Sequence, residues 1–380
     1  MTDVAIVGAG VIGLACAREL AGMPASVTVL EAAPAIGLGS SAHANGGIRA
    51  QFATAPNIAF SAYSIDAFEA LHASTGLLGL HQTGYLLLTG TEVGERQLRA
   101  SCDLQRSLGV DTEWLGPEEI RARAPFVRVV GIRGGAMHAR DGFLDPAGVI
   151  AVMAADAIGR GATIETGAGV TSIERIGRRF HLRHERGELH ADVVVNAGGV
   201  DASAIAGLCG GHVPVVPVRR NLAHVNDPLG AGDLTPMVVD LDTGVLVRRE
   251  PGGGWILAYA NPADLPGRET HVDPRFLEDL ATRLPNRFPF LLGLPIDPRH
   301  CWAGLYPETP DHHAIVGEDP DVAGLFHCVG FGGHGVMHAP AAGRAVTELI
   351  ASGTCSTFDL APLRPSRFAE GDLIVETAVF

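Results

Sequence analysis

Val4-Ala5-Ile6-Val7-Gly8-Ala9-Gly10-Val11-Ile12-Gly13 stands at the head of the chain, and Val27-Thr28-Val29-Leu30-Glu31 follows a helical pattern from Leu14 to Ala21. Strand, G-x-G-x-x-G, helix, strand and terminal acid form the dinucleotide-binding fingerprint in its expected context. Gly8 permits the tight turn, Gly10 lets the backbone approach a pyrophosphate, and Gly13 lets helix and strand pack closely. Val11 and Ile12 open the helix, whose N-terminus offers N–H groups and a positive dipole end to phosphates. Glu31, followed by Ala32, can accept hydrogen bonds from a ribose diol. FAD and NAD share this motif, so it leaves the dinucleotide open.

At 380 residues the chain is long enough for two domains. An apolar fraction of 47% with 18% charged residues indicates a globular enzyme rather than a disordered chain. A formal charge of −14 argues against nucleic acid as a partner, because phosphate backbones require a basic face. No apolar stretch approaches a membrane span. The first strand begins almost at Met1, so no secretory signal is expected. The six cysteines show no C-x-x-C pair or metal-ligand spacing, so reduced thiols in a cytoplasmic protein are expected.

Further along, Ser40-Ser41-Ala42-His43-Ala44-Asn45-Gly46-Gly47-Ile48-Arg49-Ala50-Gln51-Phe52 is small and polar, and is read as a loop outside the core beside the bound nucleotide. Apolar spacing predicts a helix from about Ile58 to Leu78, a strand pair from His81 to Leu88, and helices over Glu92–Leu108 and Asp145–Arg160. Gly169-Val170 leads through a hairpin-like segment to Asp192-Val193-Val194-Val195-Asn196-Ala197-Gly198-Gly199, a buried strand that would return the chain to the nucleotide. Residues 213 to 299 alternate apolar runs with Gly, Pro and Asp turns, which predicts a mostly antiparallel sheet covered by a helix from Pro274 to Leu284. The closing part carries Trp302-Ala303-Gly304-Leu305-Tyr306-Pro307-Glu308-Thr309-Pro310-Asp311, then Gly330-Phe331-Gly332-Gly333-His334-Gly335, then a helix from Val336.

In this order these stretches resemble the amine- and amino-acid-oxidising flavoproteins, which include glycine oxidase, sarcosine oxidase, dimethylglycine dehydrogenase and the D-amino-acid dehydrogenases. The resemblance implies an α/β fold, with a Rossmann-like FAD-binding domain over residues 1–80, 141–212 and 300–380. An inserted α+β substrate domain on the antiparallel sheet would take residues 81–140 and 213–299. It also implies hydride transfer from a carbon beside nitrogen to flavin N5, giving an imine that water hydrolyses. Ser40, Ser41, His43 to Gly47, Val170, Ala197 to Gly199, Gly304 and Gly330 would join Gly8, Gly10, Val11, Ile12, Gly13, Glu31 and Ala32 around FAD. Gly332, Gly333, His334, Gly335 and Val336 would aim a helix N-terminus at the flavin pyrimidine, where negative charge develops on reduction.

Departures from the family pattern narrow the chemistry. Sarcosine oxidase links its flavin to a cysteine where this chain has Gly304. Dimethylglycine dehydrogenase uses a histidine in a loop similar to Gly39–Gly46, and His43 aligns with it. A flavin contact by His43 is therefore expected, with non-covalent FAD as the reading and a covalent link as its alternative. Arg49 matches an arginine that binds substrate carboxylate, a role suited to a guanidinium fork. The family's second cationic partner is replaced by Met337, and Arg248 or Tyr259 is the candidate substitute. Ile256 stands where sarcosine oxidase has an oxygen-activating lysine, which favours a dehydrogenase. His334 is read as a cap or site residue. Tyr85 and Tyr306 are read as packing aromatics that could line the substrate cavity. His312-His313 is read as a surface turn, without a metal. The expected substrate is a small amine or amino acid, with a partner subunit or separate electron acceptor. The alternatives are a flavin subunit of a hetero-oligomeric sarcosine oxidase or amino-acid dehydrogenase, or a non-catalytic flavin-binding partner.

Overall fold

A computed structural model describes residues 2–227, 232–261 and 263–378. The apolar runs flanking the first glycines become neighbouring parallel strands, Thr2–Val7 and Ala25–Glu31, with Val4 opposite Val27 and Val7 opposite Leu30. They lie inside a six-stranded sheet ordered Ile315–Glu318, Leu325–Val329, Val193–Asn196, Thr2–Val7, Ala25–Glu31, Thr163–Thr166. All neighbours are parallel except the edge strand Ile315–Glu318. Near-continuous apolar sequence suits these strands because helices cover the sheet. The helix Val11–Leu20 begins three residues before Leu14, with Gly10 as its extended N-cap. It packs on the helix Gly335–Ser352, and Gly343 makes that approach compulsory: a Cβ there would lie 2.5 Å from the Ala15 carbonyl oxygen.

The second sheet has eight strands, ordered Trp302–Glu308, Val216–Val225, Trp255–Tyr259, Val245–Arg249, Met237–Asp240, Tyr85–Thr89, Gly134–His138, Glu113–Leu115. It is antiparallel throughout except where Met237–Asp240 runs alongside Tyr85–Thr89. Alternation along the strands separates two faces. Leu86, Val238, Val247, Leu257 and Tyr259 pack beneath the helix Pro274–Arg287, whereas Tyr85, Leu87, Met237 and Leu246 form a separate core on the other face. The strand Trp302–Glu308, assigned from sequence to the nucleotide part, pairs with Val216–Val225 in this larger sheet.

Two local expectations need correction. Between His81 and Leu88 there is one strand, Tyr85–Thr89, and His81 makes only an isolated bridge to Phe143. Gly84, at φ +85°, breaks the chain between them. The segment Ser40–Phe52 is not wholly outside the core, since Ile48, Ala50 and Phe52 are fully buried. Gly47–Ile48 pairs with Gly142–Phe143, and this two-strand ribbon turns the three alternating apolar side chains into the first core. The alternation Ile48, Ala50, Phe52 was the available signal, hidden among polar neighbours.

The end of the described chain is bolted down by charge. Arg367 and Asp311 are both fully buried and form a fork, Nε to Oδ2 at 2.8 Å and Nη2 to Oδ1 at 3.0 Å. Arg367 also donates to the carbonyls of Leu363 and His313. Burial alone would raise the Asp311 carboxyl pKa, but hydrogen bonding and charge from Arg367 hold it below its ordinary value. Replacing Arg367 with Met strands a buried carboxylate and should cost about 3–5 kcal/mol in denaturant unfolding. Because the folded carboxyl is depressed, its contribution is complete above the ordinary value of 3.8 and is lost as pH falls through the lower folded value. In the variant burial would raise the unpaired carboxyl, so the stability difference should begin to shrink as pH falls through that raised value and go on shrinking down to the depressed wild-type value.

Candidate active site

Gly8 adopts φ +109°, and a Cβ on it would meet the Ala197 carbonyl oxygen at 2.5 Å. At Gly13 a Cβ would lie 1.9 Å from the Gly8 carbonyl oxygen and 3.3 Å from the Ala197 methyl. The first turn and the return strand ending at Asn196 thus meet backbone to backbone. Glu31 sits at the edge of this cradle, Oε2 accepting from the Ala9 amide at 2.6 Å and Oε1 from the Ala33 amide at 2.8 Å. Ser41 Oγ accepts from the Val11 amide at 3.1 Å, tying the Ser40–His43 turn to the helix start.

A cavity of about 480 Å³ runs from this cradle to the N-terminus of Gly335–Ser352. Every residue proposed from sequence for cofactor contact lines it, apart from Gly13 and His334. Gly13 lies behind Gly8. The His334 ring turns away, edge-on to Phe52 with centroids 4.8 Å apart and 5.7 Å from the His338 ring. Burial, with the positive field of Arg49, holds the His334 pKa well below its ordinary value, and burial pushes His338 down to about 3. Both rings are neutral at physiological pH. The helix they adjoin has no side-chain cap, so its positive end faces the cavity through Gly332, Gly333, Gly335 and Val336.

At this end of the cavity the aromatic side chains converge on glycines. A Cβ on Gly333 would meet the Tyr306 hydroxyl at 2.8 Å, and one on Gly47 would meet the Tyr85 hydroxyl at 3.4 Å and Met237 Cε at 3.3 Å. Arg49 is buried behind them, its guanidinium 3.9 Å over the Phe52 ring and donating to the Gln51 and Ala378 carbonyls. Burial lowers its pKa, opposed by Tyr85, Glu376, Asp141 and Tyr306. Arg248, buried under Phe143 with 4.4 Å between guanidinium and ring, bonds Glu250, and its Nε has no partner among the described residues. Tyr85 lies in the field of both arginines, though burial is the larger effect and raises its pKa.

The residues 3–349 match the model of a family described as FAD dependent oxidoreductase. The chain belongs to that family. It is 28% identical to FAD-dependent oxidoreductase domain-containing protein 1 of Xenopus laevis, over 98% of this chain and 84% of the relative. Among solved structures it is similar to L-proline dehydrogenase from P. horikoshii, with TM-score 0.92, 27% identity, and coverage of 98% of this chain and 99% of the other. It is also similar to glycine oxidase from Geobacillus kaustophilus, with TM-score 0.84, 26% identity, and coverage of 97% and 99%.

The cavity fits the FAD that this family carries. Side-chain-free walls at Gly8, Gly10, Gly198 and Gly199 would admit a pyrophosphate against backbone N–H groups, and the Glu31 carboxylate, which lines the same cavity, would take the ribose diol. Val170 and Gly169 wall the same end, with Gly332 to Gly335 at the other. His43 lines the middle, its Nδ1 3.2 Å from the Gly39 carbonyl oxygen and its own carbonyl accepting from Trp302 Nε1 at 3.0 Å. A Cβ on Gly304 would come within 2.7 Å of His43 Cβ, so the two positions that the sequence resemblance singled out for flavin attachment lie side by side here.

Tyr259 does not join this group. It points to the opposite face of the eight-stranded sheet, with the Arg283 guanidinium 3.9 Å over its ring. The odd positions of Trp255–Tyr259 face the covering helix, and the even ones face the Tyr85 side. Of the two substitutes for the missing cation, only Arg248 lies near Tyr85. His312-His313 is not a surface turn either: His313 is buried, bonded through Nε2 to Thr54 Oγ1 at 2.9 Å, and His312 contacts Glu308 at 3.0 Å. Among the described residues, no group of three or more His, Cys, Asp or Glu is placed to hold a metal.

Sequence reasoning missed Arg220, Asp141 and Glu376. Arg220 lines the cavity from the strand Val216–Val225, paired with Asp264 at 3.2 Å. Asp141 accepts from the Ala50 amide, Gln51 and His138, and so fixes the Arg49 turn from ninety residues away. No local pattern marks such carboxylates. Replacing Gly8 with Ala combines a strained φ with a backbone clash, and should cost about 2–3 kcal/mol of FAD affinity, roughly 30- to 150-fold. Flavin absorbance per protein after dialysis measures it.

Proposed function

We propose that this protein oxidises a C–N bond of a small amine or amino acid that carries a carboxylate, using FAD. The observation that carries this reading is the buried Arg49, whose charge reaches His334 in the turn that opens the last long helix, beside a cavity suited to FAD. The similar L-proline dehydrogenase and glycine oxidase structures support the amino-acid class. Bound flavin would supply the two-electron acceptor.

The chain's own residues would bind, orient and exclude water. Arg49 would present its fork to the carboxylate, with Arg248 as a second positive charge beyond Tyr85. The Tyr85 and Tyr306 hydroxyls, both with pKa raised by burial, stay protonated and can donate. The uncapped helix end stabilises the negative charge that reduction places near it. Low-pKa His334 and His338 add no positive charge, so the local field comes from arginine and the helix dipole.

Ile256, buried opposite Arg248 in the sheet, supports a dehydrogenase that passes electrons to a separate acceptor. Six unpaired thiols suit the expected cytoplasmic setting, and among the described residues no helix is long and apolar enough to cross a membrane.

Anaerobic addition of an amine and amino-acid panel should bleach the flavin with a carboxylate-bearing member, and bleaching by none would reject the reading. Replacing Arg49 with Ala should weaken that substrate by about 2 kcal/mol, roughly 30-fold in KM. Unchanged KM would remove Arg49 from the role. Acid precipitation should release the flavin to the supernatant, as expected for non-covalent binding, and peroxide should form slowly in air at saturating substrate. Pelleted flavin would instead assign a covalent bond at His43, and rapid peroxide would assign an oxidase.

A further inference from the structure

Arg49, proposed above for the substrate carboxylate, is engaged from behind by a segment that begins more than three hundred residues later. Leu373, Ile374 and Val375 run across the surface, each more than 40% exposed. The chain then dives inward at Glu376, which is 1% exposed. Its Oε1 accepts from the Ala53 amide at 3.0 Å and the Ala378 amide at 2.9 Å. Its Oε2 accepts from Thr54 Oγ1 at 2.6 Å and Asn57 Nδ2 at 3.0 Å. Its own amide donates to the Asp311 carbonyl at 3.1 Å. Two residues on, the Ala378 carbonyl accepts from Arg49 Nη2.

The arrangement has two parts of unequal strength. Glu376 is a charge-assisted bolt on the start of the helix Ala55–Thr75, whereas Ala378 holds Arg49 by a neutral carbonyl. A carboxylate is the stronger partner for a guanidinium, with charge-assisted bonds about twice as strong as neutral ones. A ligand carboxylate can therefore displace the carbonyl, and losing that contact loosens the segment that Glu376 anchors.

We propose that residues 373–378 form a strap that occupies Arg49 in the resting protein and yields it to a ligand carboxylate. The inference rests on Arg49 being the carboxylate-binding group. The strap keeps a buried guanidinium paired while no ligand is present, which a desolvated charge requires. It also makes occupancy of Arg49 selective for anionic ligands, because a neutral amine offers nothing to replace the carbonyl.

Benzoate titrated into the FAD-loaded protein, read by perturbation of the flavin spectrum, provides the test. A chain ending at Gly371 and the point variant Glu376→Ala each remove the competing carbonyl, and benzoate should then bind about 3- to 10-fold more tightly, the equivalent of one net neutral hydrogen bond. In the wild-type protein, benzoate should speed cleavage after Glu376 by a glutamyl endopeptidase, read as loss of the following peptide by intact mass. Equal or weaker benzoate binding in both variants, or benzoate protection of Glu376 from cleavage, would overturn the strap and make the segment a wall of the site. Arg49→Ala separates the two levels of the argument. If it leaves benzoate affinity unchanged, the carboxylate role of Arg49 fails. If it weakens benzoate while the strap variants do not tighten it, only the strap fails. Should the shortened chain misfold, the point variant and the wild-type cleavage decide.

Discussion

Gly13 has no room for a side chain, because the Gly8 carbonyl oxygen stands 1.9 Å from where a Cβ would be. Most of the nucleotide half depends on that contact. It brings the first helix down onto the first strand and lets the loop at Gly8 touch the return strand at Ala197. It also leaves a wall of bare backbone along the cavity. The helix Gly335–Ser352 uses the same device from the other side, with Gly343 pressed against the backbone at Ala15. The cavity is a product of backbone approach before any side chain contributes to it.

The reactive end is built on a different principle. The turn from Arg49 to Asn57 is held by two buried carboxylates from distant parts of the chain, Asp141 on the Ala50 side and Glu376 on the Thr54 side. Each accepts backbone and side-chain donors that would otherwise be buried without partners. Together they also balance the positive charge of Arg49, whose burial would be costly alone. Fold and site electrostatics are therefore one structure here, since the groups that set the turn also stabilise the guanidinium.

Legibility in the sequence followed the range of the interactions. The fingerprint, the strand ending at Asn196 and the Gly332–Gly335 turn were readable because each depends on residues a few positions apart. Ile48, Ala50 and Phe52 were misread as lying outside the core because what orders them is distant in sequence: Gly142–Phe143, which pairs with Gly47–Ile48, is about ninety residues away. Tyr259 was placed near the substrate because a strand of five apolar residues does not announce which face it turns to which core. Arg248 and Tyr259 stand on adjacent strands, yet they lie on opposite faces of the sheet.

By itself the sequence determined the α/β class, the dinucleotide cradle and a set of glycines whose spacing only makes sense around a cofactor, because φ, turn geometry and strand periodicity are local properties of the chain. Tertiary structure alone decided which face of the larger sheet Arg248 takes, where Glu376 and Asp141 act, and how residues 373–378 reach Arg49. Those outcomes depend on burial and on pairing between charges hundreds of residues apart, and neither is set until the two sheets close over the cavity.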